Sequence, residues 1–387
     1  MSEAIQPFKI EVSDAALADL RERLARTRFP DQIEGANWDY GTELSYLREL
    51  VAYWREKFDW RAQERLLNSF PHFKTPIDDH SVHFIHVRSQ HENAFPLIVT
   101  HGWPGSVFEF HKILGPLTDP TQHGGDARDA FHVVCPSIPG YGFSEAPRTR
   151  GWDVRRMAEV NAKLMARLGY ANYGAQGGDW GAIISVQNAL VDKQHCAGIH
   201  LNMVVAFPAA GIGPDAMKGL DADEIKGLGD LGNFQKEETG YQSIQGTKPQ
   251  TLGYGLNDSP AGLAAWIVEK FRTWSDCGGD VEKRFTRDEL LTNVMIYWVT
   301  NSITSSTRLY YETMKSGRFG PSTERVEQPT AGAIFPKELY RAPRAWAEKA
   351  FNIQQWTKMP SGGHFAALEE PKRLVDDVRS FFRKIRG

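Results

Sequence analysis

A carboxylate stands at the centre of a glycine-rich run at residues 177–181, Gly-Gly-Asp-Trp-Gly, and it belongs to Asp179. The run follows an apolar stretch at 173–176 and precedes a helical pattern at 180–192, so we predict that it joins a strand to a helix. Small residues let such a junction turn sharply and aim the central side chain outward. Asp179 is therefore a candidate nucleophile, although an aspartate that only caps a helix has the same local pattern.

A second glycine-rich loop, His-Gly-Trp-Pro-Gly at 101–105, comes directly after the apolar stretch 96–100. In the α/β-hydrolase fold, a loop at this place and the residue after the nucleophile supply the backbone N–H groups that stabilise an oxyanion. The predicted donors are the amides of Trp103 and Trp180. Read alone, the same loop is simply a turn.

The candidate base and its partner lie near the carboxyl terminus. His364 stands in the run Ser-Gly-Gly-His-Phe at 361–365, after the last predicted strand, and Glu338 ends the run Phe-Pro-Lys-Glu at 335–338. Glu338 can accept the imidazole N–H and fix the tautomer. The chain order Asp179, Glu338, His364 is the nucleophile, acid, base order of the α/β-hydrolase fold.

An aspartate in place of a serine nucleophile changes the expected substrate. A carboxylate that attacks a saturated carbon leaves an ester, which water activated by a histidine can hydrolyse, whereas a serine would leave an ether. The sequence therefore favours displacement at saturated carbon, either opening of an epoxide or dehalogenation of a haloalkane or haloacid. A third interpretation is a hydrolase-fold protein that binds without catalysis.

Opening an epoxide produces an alkoxide, so an acid is expected across the cleft from Asp179, and a tyrosine hydroxyl is suitable. The residues alone leave five candidates open: Tyr241, Tyr254, Tyr297, Tyr310 and Tyr311. A halide leaving group needs no such proton, which separates the two reactions.

Composition excludes several other classes of protein. The 387 residues carry 45 basic and 48 acidic side chains without a basic stripe, so we predict no nucleic-acid partner. Three irregularly spaced cysteines are neither a disulfide framework nor a metal pair, and the reaction above needs neither metal nor cofactor. We found neither a secretion signal nor an apolar run of membrane-spanning length, so a cytoplasmic protein is expected.

The positions of these motifs depend on an alternation of short apolar runs and helical patterns. Strands are predicted at 82–87, 96–100, 131–135, 173–176, 197–202, 331–335 and 352–358, with helices at 13–28, 106–117, 153–168, 180–192, 343–351 and from Pro371. Strands that alternate with helices indicate a mostly parallel α/β sheet. The alternation stops at 205–325, where helical stretches such as 262–274 and 288–311 predict a helical cap inserted after the sixth core strand.

The quoted motifs resemble those of the microsomal-type epoxide hydrolases, a family that includes juvenile-hormone epoxide hydrolases and soluble microbial members. The resemblance spans nearly the whole chain and includes Phe-Asp-Trp-Arg at 58–61, Phe-Pro-His-Phe at 70–73 and Gly-Gly-His-Phe-Ala-Ala-Leu-Glu-Glu-Pro at 362–371. It implies an N-terminal wrapping segment at 1–80, an α/β-hydrolase core at 81–204 and 326–387, and a cap at 205–325.

The resemblance also implies roles for particular residues. The segment at 239–245 is similar to the one that carries the family's first ring-opening tyrosine, which implies Tyr241, and the segment at 306–312 implies Tyr310 through its distance from Arg308. Trp103, Trp180 and Phe365 are expected to line the site for an apolar epoxide. Microsomal members begin with a membrane-anchor helix, whereas this sequence begins almost at the wrapping segment, so a soluble enzyme is expected. The resemblance is compatible with a homodimer and with a role in either detoxification or secondary metabolism.

Overall fold

One mixed sheet of nine strands forms the centre of the computed structural model, which describes residues 4–209 and 211–386. In chain order the strands are β1 Gln6–Phe8, β2 His72–Ile77, β3 His80–Val87, β4 Phe95–Thr100, β5 Phe131–Pro136, β6 Tyr173–Gly177, β7 Cys196–Leu201, β8 Val326–Ile334 and β9 Phe351–Lys358. Their order across the sheet is β1-β2-β3-β5-β4-β6-β7-β8-β9. The β1–β2, β2–β3 and β3–β5 pairs are antiparallel and the other pairs are parallel.

The helices of the core and of the amino-terminal segment follow the apolar periodicity of the sequence. They are α1 Asp14–Ala25, α2 Leu44–Glu56, α3 Trp60–Leu67, α4 His111–Thr118, α5 Val154–Arg167 and α6 Asp179–Val191, with α13 Arg344–Ala350, α14 Ala366–Glu369 and α15 Pro371–Ile385 after β8. Ser13 caps α1, as its hydroxyl accepts from the Ala16 amide at 3.2 Å. The helix predicted at 106–117 is divided into a 3₁₀ turn, Val107–Phe110, and α4.

In the described part of the chain, six further helices lie between β7 and β8. The predicted helical insertion is confirmed, but it follows the seventh strand of the sheet rather than the sixth. They are α7 Ala222–Glu237, α8 Gly240–Thr247, α9 Pro249–Asp258, α10 Pro260–Thr273, α11 Arg287–Thr300 and α12 Ile303–Lys315. The single helical stretch expected at 288–311 is wrong, because Asn301 adopts the left-handed conformation (φ 52°) and ends α11. An asparagine tolerates this conformation better than most residues and so permits the chain to turn into α12.

The amino-terminal segment contributes two strands that were not predicted, β1 and β2. Both lie at the antiparallel edge of the sheet, and the segment's helices contact the inserted helices. Tyr53 of α2 donates to the Asp288 carboxylate at 2.9 Å, and Arg23 of α1 pairs with Asp258 at 2.8 Å. Within the described residues, no helix combines the length and apolar character needed to cross a membrane.

The glycine-rich loops named above all lie at the carboxyl ends of parallel strands. The loops that follow β4, β6, β8 and β9 leave from the carboxyl ends of these strands, where ligands of open α/β sheets bind. The inserted helices must therefore approach the carboxyl ends of these strands to supply any side chain to a shared site.

Candidate active site

Asp179 occupies a sharp turn between β6 and α6. Its φ of 49° is unusual for a residue with a side chain, and such strain is typical of a nucleophile on this kind of turn. Gly181 passes close to β4, since a Cβ atom there would lie 1.8 Å from the Thr100 carbonyl oxygen. The Asp179 Oδ1 atom accepts from the Trp103 amide at 2.7 Å, so this loop orients the carboxylate.

The two predicted oxyanion donors lie on either side of the same turn. Trp103 follows β4, and Trp180 belongs to the first turn of α6, where backbone N–H groups have no partner within the helix. Since the Trp103 amide already contacts Oδ1, that oxygen is the one positioned to carry negative charge in an acyl intermediate. The other oxygen, Oδ2, is left facing the histidine.

His364 lies between Asp179 and Glu338. Its Nε2 atom is 3.4 Å from Asp179 Oδ2, and its Nδ1 atom is 2.6 Å from Glu338 Oε1. A carboxylate only accepts hydrogen bonds, so Glu338 assigns the proton to Nδ1. The structure thus brings together the three residues that the sequence suggested from loops far apart in the chain.

Backbone contacts fix the two loops that carry this pair. The Lys337 amide donates to the Gly362 carbonyl at 3.1 Å, which joins the end of β8 to the end of β9. The His364 amide donates to the Trp274 carbonyl at 2.9 Å, just beyond α10. The inserted helical segment therefore helps to hold the base, so the site is built by both parts of the chain.

The charge state of His364 depends on its two carboxylate neighbours. Burial lowers the pKa of His364, but the charge of Glu338, together with the hydrogen bond and the charge of Asp179, outweighs burial and raises the pKa well above its ordinary value. With both carboxylates ionised, the imidazole is held as a cation and cannot act as a base. Any event that neutralises Asp179 removes part of this stabilisation.

Tyr241 and Tyr310 reach the same cleft from α8 and α12. Both are buried, and their rings meet nearly at right angles with centroids 5.9 Å apart. Tyr241 stacks on Trp103 at 5.3 Å, while Tyr310 meets Trp180 edge to face at 4.6 Å. Burial raises the pKa of both hydroxyls well above 10, with the charge of Asp179 contributing, so both remain protonated donors near that carboxylate.

The other three candidate tyrosines lie elsewhere. Tyr254 is exposed on α9, and Tyr311 is half-buried with its ring near Lys315. Tyr297 is buried, but its hydroxyl donates to the Gly105 carbonyl at 2.6 Å. Geometry therefore selects Tyr241 and Tyr310, which the residue types alone did not.

Phe365 is buried behind His364 rather than beside the tyrosines. Its ring stacks on Phe271 of α10 with centroids 4.0 Å apart and meets the His364 ring at 5.1 Å. This position supports the imidazole, so contact of Phe365 with substrate stays a prediction.

Two charged residues near the site were missed by sequence reasoning. Lys270 of α10 is buried, with its ammonium 4.9 Å from the centre of the Tyr241 ring. Glu109 lies in the 3₁₀ turn after the 101–105 loop and lines a small cavity with Asp179 and His364. Glu109 had a visible signal, because it is a lone carboxylate within the apolar run Val-Phe-Glu-Phe at 107–110. Lys270 had none, since its neighbour Tyr241 is distant in sequence.

The fold, the strained nucleophile turn and the histidine–carboxylate pair define an α/β-hydrolase. A family model described as alpha/beta hydrolase fold matches residues 96–236, and one described as epoxide hydrolase N terminus matches residues 5–110. Among the described residues, no group of three or more histidine, cysteine or acidic side chains is placed to hold a metal ion.

Full-length relatives narrow this class further. The chain is 45% identical over 384 residues, 99% of this chain and 86% of the relative, to a Stigmatella aurantiaca protein whose name assigns it provisionally to the epoxide hydrolases. It is 41% identical to epoxide hydrolase 1 of Oryctolagus cuniculus, over 98% of this chain and 89% of that protein. The crystal structure of juvenile hormone epoxide hydrolase from the silkworm Bombyx mori superposes with a TM-score of 0.91 at 34% identity, covering 100% of this chain and 95% of that one. The chain belongs to the epoxide hydrolase family.

Proposed function

We propose that this protein converts an apolar epoxide and water into a vicinal diol through an ester of Asp179. One observation carries the proposal: the Asp179 carboxylate lies 3.4 Å from His364, which pairs with Glu338, and two buried tyrosines pack on the tryptophans of the two loops beside it. A halide leaving group needs no proton, so dehalogenation would give neither tyrosine a catalytic role and is not favoured.

The first step is opening of the ring. Tyr241 and Tyr310 hold the epoxide oxygen, and Asp179 Oδ2 attacks one ring carbon as the carbon–oxygen bond breaks. The ring oxygen takes a proton from the tyrosine pair, which recovers one by way of solvent. His364 does not act as a base in this step, because water is activated only after the ester has formed.

The second step is hydrolysis of the ester. His364 Nε2 removes a proton from water, and the resulting hydroxide attacks the Asp179 carbonyl carbon. The oxyanion that forms on Oδ1 is stabilised by the amides of Trp103 and Trp180, since such donors are worth about 2.7–4 kcal/mol each. Collapse releases the diol, whose oxygen takes a proton from His364, and the new Asp179 carboxylic acid returns a proton to His364.

The first step prepares the base for the second. The negative charge of Asp179 raises the pKa of His364, and esterification removes that charge. The pKa of His364 therefore falls after ring opening, which favours the neutral imidazole when a base is required. Premature water activation is avoided by the same coupling.

We further propose that residues 1–80 wrap the core and that residues 205–325 act as a cap over the site. The contacts of α1 and α2 with the inserted helices support this division. All three cysteines are free and buried, which suits a reducing cytoplasm.

Oxygen-18 labelling in a single turnover tests the proposal. Styrene oxide is mixed with excess enzyme in labelled water, and the diol and the peptide containing Asp179 are analysed by mass spectrometry. We expect an unlabelled first diol and label in Asp179, because water attacks the ester carbonyl. Label in the diol and none in Asp179 would mean that water opens the epoxide directly.

His364→Gln and Asp179→Asn provide a matched pair for the same assay. The first variant should accumulate an adduct with the added mass of styrene oxide, since ring opening does not need the base. The second should form no adduct, because it lacks the nucleophile. Adduct in both variants would show that a residue other than Asp179 is alkylated.

A further inference from the structure

A small cavity adjoins the nucleophile, and neither Tyr241 nor Tyr310 lines it. Its volume is about 20 Å³, and one water molecule needs roughly 10–15 Å³ by the same kind of measure. Asp179, His364 and Glu109 are among the side chains that line it. The cavity therefore has room for a single water beside the two groups that ester hydrolysis requires.

The other polar side chains around the cavity are engaged with each other or with neighbours. Gln176 donates to Asn202 at 2.9 Å, and the Thr100 hydroxyl accepts from Asn161 at 3.2 Å. A buried water typically needs two to four polar partners. His101 also lines the cavity, but its two ring nitrogens are bonded to the Gly102 carbonyl and the Ile138 amide. Glu109 and His364 are therefore the ionisable side chains left to share one water next to the Asp179 carboxyl group.

Glu109 is held in place by the oxyanion loop itself. Its carboxylate lies so close to Gly105 that a Cβ atom there would be 1.5 Å from Oε1. The loop is fixed from α11, where Asn293 donates to the Pro104 carbonyl at 2.7 Å and Tyr297 to the Gly105 carbonyl. The position of the carboxylate is thus tied to the backbone that binds the oxyanion.

Glu109 is partly buried, and among the described residues no ion pair involves it. Burial raises its pKa to about 8, opposed by the charge of His364 and reinforced by that of Asp179. A carboxyl group shielded from solvent and without a direct ion-pair partner is costly to stability, so its presence here calls for a functional explanation. Esterification of Asp179 removes a charge that raises this pKa, and loss of the proton from His364 removes one that lowers it, so the two changes oppose each other.

We propose that Glu109 holds the hydrolytic water against His364, accepting one hydrogen bond from the water while Nε2 takes the other proton. The inference rests on the ester mechanism proposed above and adds Glu109 to the groups that act in its second step. In that step the water gives one proton to His364 and its oxygen bonds to the Asp179 carbonyl carbon. Glu109 changes no bond; it orients the lone pair of the water oxygen toward that carbon.

Single-turnover kinetics of Glu109→Gln test the proposal. Excess enzyme is mixed with styrene oxide, and the ester is followed by rapid quench and mass spectrometry. We expect ester hydrolysis to slow by about 10–100-fold, because a glutamine amide can turn its NH₂ group, which accepts no hydrogen bond, toward the water, and poor positioning of a reacting group typically costs this much. Ring opening should change by less than about threefold. Glu109→Asp, which keeps the charge, should recover part of the hydrolysis rate.

The parallel variants separate failure of this inference from failure of the ester mechanism. If His364→Gln accumulates ester but Glu109→Gln hydrolyses it at the parental rate, the role of Glu109 is wrong. Equal slowing of ring opening and hydrolysis would also overturn it, since that pattern indicates a structural role. If His364→Gln itself forms no ester, the underlying mechanism fails. Glu159→Gln, on the surface of α5, is the control and should match the parent in both steps.

Discussion

Replacing Glu338 by glutamine removes the charge beside His364 but preserves the shape of the side chain. Glu338 Oε1 accepts from His364 Nδ1 at 2.6 Å and from the Leu339 amide at 2.7 Å. A glutamine oxygen in this position satisfies both donors, whereas an NH₂ group there would oppose the Leu339 amide. We therefore expect Glu338→Gln to keep the productive tautomer, with the proton on Nδ1.

The expected loss is electrostatic and of moderate size. Two unit charges about 4 Å apart interact by about 4 kcal/mol at an effective dielectric constant near 20. Since the imidazolium is only partly formed in the transition state for water attack, about half of this, or about 2 kcal/mol, is lost. At about 1.4 kcal/mol per tenfold change, ester hydrolysis should slow by about 30-fold.

The pH dependence should move with the charge. Glu338 contributes to the raised pKa of His364, so removing it lowers that pKa and leaves the imidazole neutral at more acidic pH. The acidic limb of the hydrolysis rate should therefore shift to lower pH in Glu338→Gln. Its ring-opening rate should stay within about threefold of the parent.

Stopped-flow tryptophan fluorescence in single turnovers resolves the two steps, with quenched samples identifying the ester. A drop of about 10⁴ in hydrolysis would refute the reasoning, because it is the size expected when a histidine is held in the wrong tautomer. It would mean that the amide turns its NH₂ group toward His364. An unchanged rate would equally refute the electrostatic contribution of Glu338.

Three other perturbations test the two tyrosines, Lys270 and the buried histidines of the core. Tyr241→Phe and Tyr310→Phe should each slow ring opening by about 10²–10⁴, and together abolish it, without slowing ester hydrolysis; rapid quench would contradict this if the double variant still formed ester. Lys270→Met, which also leaves Glu269 without its ion-pair partner, should slow ring opening by several-fold, because a cation 4.9 Å from the Tyr241 ring centre favours the developing phenolate and an unpaired Glu269 disfavours it; an unchanged single-turnover rate would argue against it. Burial lowers the pKa of His72 and His83, so the unfolded state binds more protons, and stability should be lost as the pH falls below about 6.5. Thermal unfolding at pH 7.5 and 5.5 measures this, and equal midpoints would contradict it.

Local sequence was sufficient for the core elements and for the triad. Alternating apolar runs and helical patterns predicted the strands from β3 to β7 to within a residue or two, because each pattern repeats over neighbouring residues. Asp179 and His364 followed from glycine-rich loops at strand ends, and Glu338 from its place at the end of the strand before His364. Parallel strands bring the loops at their carboxyl ends together wherever these loops occur in the chain. The start of β8 was placed five residues late, because Val326 and Pro329 precede its clearly apolar part.

The choice of tyrosines and the surroundings of the base required the tertiary structure. Tyr310 and Tyr311 are adjacent in sequence, but successive side chains on a helix point about 100° apart, so only packing of α12 decides which one enters the cleft. Residue types alone had left this choice open, and family resemblance had supplied it. Glu109 approaches His364, and Lys270 approaches Tyr241, only because elements distant in sequence pack together. The sequence by itself therefore determined which chemical groups stand at the strand ends, whereas the tertiary structure decided which neighbours surround them, because long-range packing has no local pattern.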